Sequence, residues 1–235
     1  MFRPLALLLC LLCFAAAACG GDDDDGGSSG GGGASDSDQA QETETGAKGG
    51  CDEVAQPEPR QDGGQKKPGK ALDPAATYDV VLQTTCGEIT IRLDQKTSPK
   101  TAASFVSLAR AGFYDNTVFH RIVPGFVIQG GDPTATGSGG PGYSVRDAPP
   151  PNAAYTEGVV AMAKTAAEPP GTAGSQFYIV TAPDAGLPPE YGVLGKVVKG
   201  LDVALSIDNL GDPTSGEAGT PLRPVVIEKA SVDES

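Results

Sequence analysis

His120 and Arg121 stand side by side in VFHRIVPGFVIQGGDP, residues 118–133, an apolar run closed by Gly-Gly-Asp-Pro. The chain holds no other histidine. A general-base histidine needs a nucleophile in reach, and Ser175, in GTAGSQF, lacks the G-x-S-x-G turn that presents a nucleophilic serine. One imidazole cannot build a histidine-rich metal centre, so no metal and no cofactor is expected. The ordinary role of a lone histidine on an apolar strand is structural. Strand alternation then turns Arg121 to the opposite face, with Phe126 and Gln129 close behind it in sequence. An arginine, an aromatic ring and an amide around one shallow surface can grip a ligand and donate hydrogen bonds, but none is tuned for proton transfer. The plainer alternative is a surface arginine paired with Asp132 or Glu157, which is worth little.

The elements that must position these residues are short. Tyr78–Thr84 and Glu88–Leu93 read as two strands joined by Thr85-Cys86-Gly87. Ser98-Pro99 opens a helix that Gly112 ends, with Ala102, Phe105, Val106 and Ala109 on one face. Further strand-like runs fall at 118–122, 126–129, 159–163, 176–181, 193–198 and 225–232, and a second helix fits 201–207. The fold class is mainly β. Eight strands and two helices predict a closed antiparallel barrel with helical caps. GSGGPG at 137–142 matches a dinucleotide-binding pattern by letter, but Pro141 and the following YSVRDAPPP prevent the helix such a site requires.

Composition divides the chain. Residues 20–50 contain no aromatic residue and no Val, Ile or Leu, so they are expected to be disordered. Residues 54–74 add Pro, Gln and Lys and read as extended linker. The net charge is −13, and the domain that begins near residue 76 has no basic cluster, which excludes nucleic acid as a partner. The first 18 residues carry one arginine and a short apolar stretch, which fits a removed signal peptide. Small residues directly before Cys19 resemble a bacterial lipoprotein signal, implying a lipidated Cys19 and a membrane-anchored, exported protein. Ordinary cleavage after Ala18, giving a soluble secreted protein, is the alternative. The division is therefore 1–18 signal peptide, 19–75 acidic tether and linker, and 76–235 a single folded domain. Cys51 and Cys86 are the cysteines left over, and an oxidising compartment favours a disulfide between them. That bond would fold residues 52–77 back along the domain.

Taken together, VFHRIVPGFVIQGGDP, the preceding PKTAASFVSLARAGFYDNT and the later GTAGSQFYIVTA, GVVAMAK and GVLGKVVKG resemble the cyclophilin-type peptidyl-prolyl cis-trans isomerases over about residues 78–230. The resemblance implies rotation of X-Pro bonds in proline-containing polypeptide clients by a monomer, with Arg121 as the catalytic residue. It implies that Phe126, Val127, Tyr178, Leu187 and Tyr191 wall a proline pocket. Gln129 and Gln176 would hold the substrate backbone, Ala163 and Lys164 would line the edge, and His120 would be structural. The family often has Met at Val127, Phe at Tyr178, Asn at Lys164, Trp at Gly186 and His at Tyr191. A binding module holding X-Pro segments without turnover is the competing reading.

Overall fold

The computed structural model describes residues 50–235. The signal segment, Cys19 and the stretch to residue 49 lie outside the described residues. Eleven strands are present: β1 (Tyr78–Thr84), β2 (Gly87–Leu93), β3 (Thr117–Val118), β4 (Arg121–Val123), β5 (Val127–Gly130), β6 (Val145–Arg146), β7 (Val159–Met162), β8 (Thr172–Ala173), β9 (Phe177–Val180), β10 (Val193–Lys199) and β11 (Val226–Glu234). Two helices, α1 (Pro99–Arg110) and α2 (Leu201–Asp208), and a short 3-10 turn at Gly216–Ala218 complete the domain.

Nine strands form one antiparallel sheet in the order β3-β11-β1-β2-β10-β7-β9-β5-β4, and β6 and β8 form a separate ribbon. The sheet curls but does not close, which corrects the closed eight-stranded barrel expected from the sequence. Its open edges are β3 and β4, neighbours in sequence. Phe119 and His120 separate them, leaving strand geometry where one continuous strand over 118–122 was expected. Val118 instead bridges to Asp132, and the Ile122 N–H donates to the Gly219 carbonyl at 2.7 Å. The gap is thus filled by loop backbone.

The main core follows from alternation. Val80, Leu82, Ile89 and Ile91 point inward from β1 and β2 and meet Phe105 and Leu108 of α1. The Phe105 ring lies 4.6 Å from Tyr114 and 5.4 Å from Phe177 between centroids. Ser98 precedes α1 as expected, but its hydroxyl does not cap the helix. Asp147 does so from a distance in sequence, accepting the Thr101 N–H at 2.7 Å and its hydroxyl at 3.0 Å. Strands β5 and β9 are buried on both faces. Ile128, Phe177 and Ile179 enter the main core, while Val127, Tyr178 and Val180 join a second cluster with Tyr155 and Ala161.

Residues 51–70 have no regular secondary structure, yet they are fastened to the domain. Cys51 is disulfide-bonded to Cys86, and the Asp52 N–H donates to the Thr85 carbonyl at 2.7 Å. Arg60, Gly63 and Gln65 donate backbone N–H bonds to the carbonyls of Pro133, Gly140 and Pro141 at 2.8, 2.9 and 3.0 Å. Gly63 crosses Gly142 so closely that a Cβ on Gly142 would sit 3.1 Å from the Gly63 Cα. The linker is a strap laid along the domain, as a Cys51–Cys86 bond requires.

Candidate active site

Strand register builds the site from the last four strands at one end of the sheet. Arg121 lies opposite Gln129, Gln129 opposite Tyr178, and Tyr178 opposite Ala161, so these four share a row and a face across β4, β5, β9 and β7. Val127 pairs with Val123 on one side and Val180 on the other. The turn between β4 and β5 is held from α2: Asp208 accepts the Gly125 N–H at 2.8 Å and the Thr181 hydroxyl at 2.7 Å. The Phe126 carbonyl accepts the N–H groups of Thr181 and Ala182. These bonds fix the ring of Phe126 at the mouth of the site.

A cavity of about 260 Å³ opens there, lined by Arg121, Phe126, Val127, Gln129, Ala163, Lys164, Tyr178, Leu187 and Tyr191. Nine of the ten residues expected at the ligand surface therefore surround one hollow. The tenth, Gln176, lines an adjoining groove with Gly139, Gly140, Thr165 and Glu168, and Gln129, Ala163 and Lys164 border both.

Arg121 is half-buried, and its guanidinium is aimed by two acceptors. Its Nε donates to the Glu217 carbonyl at 3.0 Å and its Nη1 to Gln129 Oε1 at 3.3 Å. It pairs with neither Asp132 nor Glu157. Gly219 leaves room for this side chain, because a Cβ there would come within 2.8 Å of Arg121 Cγ. Burial lowers the Arg121 pKa, partly offset by Glu217 and Tyr191, and a guanidinium stays charged under these conditions.

Lys164 is turned inward. Its side chain is 2% exposed, pairs with Glu190 at 3.1 Å and lies 5.4 Å from the Tyr191 ring centroid. Tyr191 packs edge-on against Tyr155 and Tyr178 with centroids 5.9 and 5.7 Å away. The Tyr155 hydroxyl donates to the Tyr191 carbonyl at 2.6 Å and accepts its N–H at 3.0 Å. Gly186 has open space where a side chain would begin, so this wall is made by three tyrosines and a lysine. The Tyr178 hydroxyl is buried with no hydrogen-bond partner, and burial pushes its pKa well up, with Tyr155 and Tyr191 adding to the rise.

His120 faces away from the cavity. Burial lowers its pKa, against the opposing pull of Asp132, the Gln176 side chain and the Val118 backbone. The ring lines neither the cavity nor the adjoining groove. Ser175 is no nucleophile: its buried hydroxyl donates to the Gly131 carbonyl at 2.7 Å. Three contributors escaped the sequence reading. Glu217 acts through its carbonyl, which no side-chain pattern reveals; Tyr155 lies in a loop without periodicity; Asp208 sits at a helix end far along the chain.

Residues 79–232 match the family model described as cyclophilin type peptidyl-prolyl cis-trans isomerase/CLD. The chain is 39% identical over 162 residues to peptidyl-prolyl cis-trans isomerase-like 1 of Gibberella zeae, covering 67% of this chain and 96% of that protein. It is 37% identical over 158 residues to peptidyl-prolyl cis-trans isomerase CYP18-2 of Arabidopsis thaliana, covering 66% and 93%. Among solved structures, a cyclophilin-type isomerase of Cryptosporidium parvum, crystallised in the presence of the dipeptide Ala-Pro, aligns with a TM-score of 0.60 and 32% identity. That alignment covers 66% of this chain and 98% of that one. The chain belongs to the cyclophilin-type peptidyl-prolyl cis-trans isomerase family. Its activity is the cis-trans isomerisation of X-Pro peptide bonds.

Proposed function

We propose that this chain is an exported, monomeric prolyl isomerase, anchored to the membrane through lipidated Cys19, that assists the folding of proline-containing proteins outside the cytoplasm. Residues 1–18 are its signal peptide and 20–50 its spacer. The observation that carries the site assignment is the single cavity shared by Arg121, Gln129 and the apolar wall. The Ala-Pro dipeptide of the Cryptosporidium parvum structure supports a proline-containing substrate.

The chemistry needs no acid or base. Rotation of a peptide bond faces about 18–20 kcal/mol because resonance must be broken, and uncatalysed X-Pro exchange takes about tens to hundreds of seconds. Proline rests against Phe126, Val127 and Leu187 while Gln129 and Gln176 hold the flanking backbone. As the bond twists, the prolyl nitrogen becomes pyramidal and regains its lone pair. Arg121 then donates to it. In the planar ground state that lone pair is delocalised, so the bond strengthens only near the transition state. A charged hydrogen bond is worth about 1.5–3 kcal/mol, which is roughly one to two decades of rate.

A protease-coupled isomerisation assay on the wild type and Arg121→Ala tests this site. A folded Arg121→Ala with unchanged kcat/KM overturns the role of Arg121, and a wild type that binds X-Pro peptides without turnover makes the groove a binding module. Membrane fractionation of Cys19→Ala tests the anchor, which fails if the variant stays with the membrane.

A further inference from the structure

The strap reaches the arginine through an unbroken line of hydrogen bonds. Arg121 Nη1 donates to Gln129 Oε1 at 3.3 Å, and Gln129 Nε2 donates to Gln176 Oε1 at 3.0 Å. Gln176 Nε2 donates to the Gly139 carbonyl at 2.9 Å. The N–H on the other side of that same peptide group, that of Gly140, donates to Asp62 Oδ1 of the strap at 2.6 Å. Four bonds thus join a guanidinium to a carboxylate through three amide groups, and all three amides point the same way.

That alignment has a physical reason. A side-chain amide is nearly symmetric in shape, so its two orientations are separated only by what its ends meet. With Gly139 presenting a carbonyl, Gln176 must turn its NH₂ there and its oxygen to Gln129, which must then turn its own oxygen to Arg121. The Asp62 carboxylate fixes the Gly139–Gly140 peptide from behind. By accepting the Gly140 N–H it polarises the peptide, which makes the Gly139 oxygen a stronger acceptor. If this peptide were free to turn, Gln176 could flip, Gln129 would flip with it, and the NH₂ of Gln129 would then face the guanidinium and swing it from its place.

The remaining contacts show why Asp62 stays where it is. The Gly63 N–H donates to the Gly140 carbonyl at 2.9 Å, so the strap grips the residue on both its backbone groups. On the inner side of the loop, Asp132 gathers the N–H groups of Thr134, Thr136, Gly137 and Gly139 at 2.6–3.1 Å. Burial pushes the Asp132 carboxyl up, but the Thr134 donors and the N–H groups of Gly139 and Gly137 outweigh it, and its pKa falls below the ordinary value. Two successive peptides are therefore held by two carboxylates: Asp132 of the domain takes the Gly139 N–H, and Asp62 of the strap takes the Gly140 N–H.

We propose that Asp62 is a positioning residue for isomerisation, acting through the Gly139–Gly140 peptide, Gln176 and Gln129 to hold the guanidinium of Arg121 in its donating orientation. This rests on the assignment of Arg121 as the donor to the prolyl nitrogen. The strap is thus part of the enzyme: the site is completed by a segment 59 residues before the arginine it serves.

The test compares Asp62→Ala, Asp62→Asn, Gln176→Ala, the Asp62→Ala/Gln176→Ala pair and Arg121→Ala in the full chain with its disulfide formed. Asp62→Ala is expected to lower kcat by about tenfold with KM little changed, the worth of roughly one hydrogen bond. Asp62→Asn keeps an acceptor oxygen and should restore kcat to within about threefold. In the Gln176→Ala background the chain is already cut, so Asp62→Ala should cost nothing more. The side-chain amide resonances of Gln129 and Gln176 should shift in Asp62→Ala. The proposal is overturned if Asp62→Ala lowers only thermal stability, if Asn behaves as Ala, or if the two losses add. Wild-type activity in Arg121→Ala would instead strike the underlying site assignment, and the amide resonances would still report whether the strap orients the glutamines.

Discussion

Arg60 and Arg121 both bring a guanidinium against backbone carbonyls, and they do opposite work. Arg60 donates to the carbonyls of Gly112 and Phe113 and lies over the Phe113 ring, 5.9 Å from its centroid. All of those partners belong to the turn after α1, and the result is a rivet between strap and domain. Arg121 is held by one carbonyl and one side-chain amide at the edge of a cavity. A cation whose terminal nitrogens are both spent on carbonyls of one turn can only stabilise. One braced from behind and open in front can still gain a bond when a substrate changes shape.

Exchange of the two roles would break that comparison most sharply. Arg121→Ala should lower kcat/KM by about one to two decades with little loss of folding stability. Arg60→Ala should cost about 1.5–3 kcal/mol of stability with a far smaller change in kcat/KM. Denaturant midpoints and isomerisation kinetics on both variants decide it, and a reversed pattern refutes it. The disulfide acts on the strap rather than on the site. Its 35-residue separation corresponds to about 3–4 kcal/mol of loop-closure entropy, most of it serving the strap. Reduction should therefore speed amide exchange at Gly63 and Gln65 well before it touches β1 or β2.

A smaller change sharpens the picture of the pocket wall. The buried Tyr178 hydroxyl has no partner, and an unsatisfied buried group costs about 1–3 kcal/mol. Tyr178→Phe should raise stability by about 1–2 kcal/mol, read as a higher thermal midpoint; a lower one would mean the hydroxyl is satisfied in solution.

The smallest effect is that of pH. Burial lowers the His120 pKa from its ordinary 6.5, so the unfolded chain binds this proton more readily than the folded one. Stability is then complete above about pH 6.5 and declines as pH falls through the lower folded value. Asp132 acts in the same sense further down: its depressed pKa gives stability present above its ordinary 3.8 and lost as pH falls through the folded value. His120→Gln should flatten the thermal midpoint between pH 7 and 5 and leave the acid loss below pH 4 in place.

The longer strands and both helices were legible because their signals are local, whereas the two-residue strands β6 and β8 were not. Alternating Val, Ile and Leu mark β1, β2 and β10, and the Ser98-Pro99 start marks α1. The cavity residues were legible through resemblance, and register explains why they meet. What was not legible depends on distant partners. The failure of the sheet to close lies in Phe119 and His120, whose composition still reads as strand. The cap on α1 comes from Asp147, 46 residues away from Thr101. The cysteine pair announced that the strap folds back, but not which residues it grips, because backbone hydrogen bonds hold it rather than burial. Asp62, in a run of Gln, Gly and Lys, looked like any solvated carboxylate.

The Cys51–Cys86 bond also decides where mechanical load enters the domain. Tension applied to the chain at residue 50 passes through sulfur into the turn between β1 and β2. It does not run along residues 52–70, whose hydrogen bonds would otherwise unzip one after another from the end being pulled. The covalent crosslink takes the strain and shields the segment behind it. A pull that would peel Asp62 from Gly140 in the reduced protein leaves that contact unloaded in the oxidised one, so the strap keeps its grip on the site however the N-terminus is held.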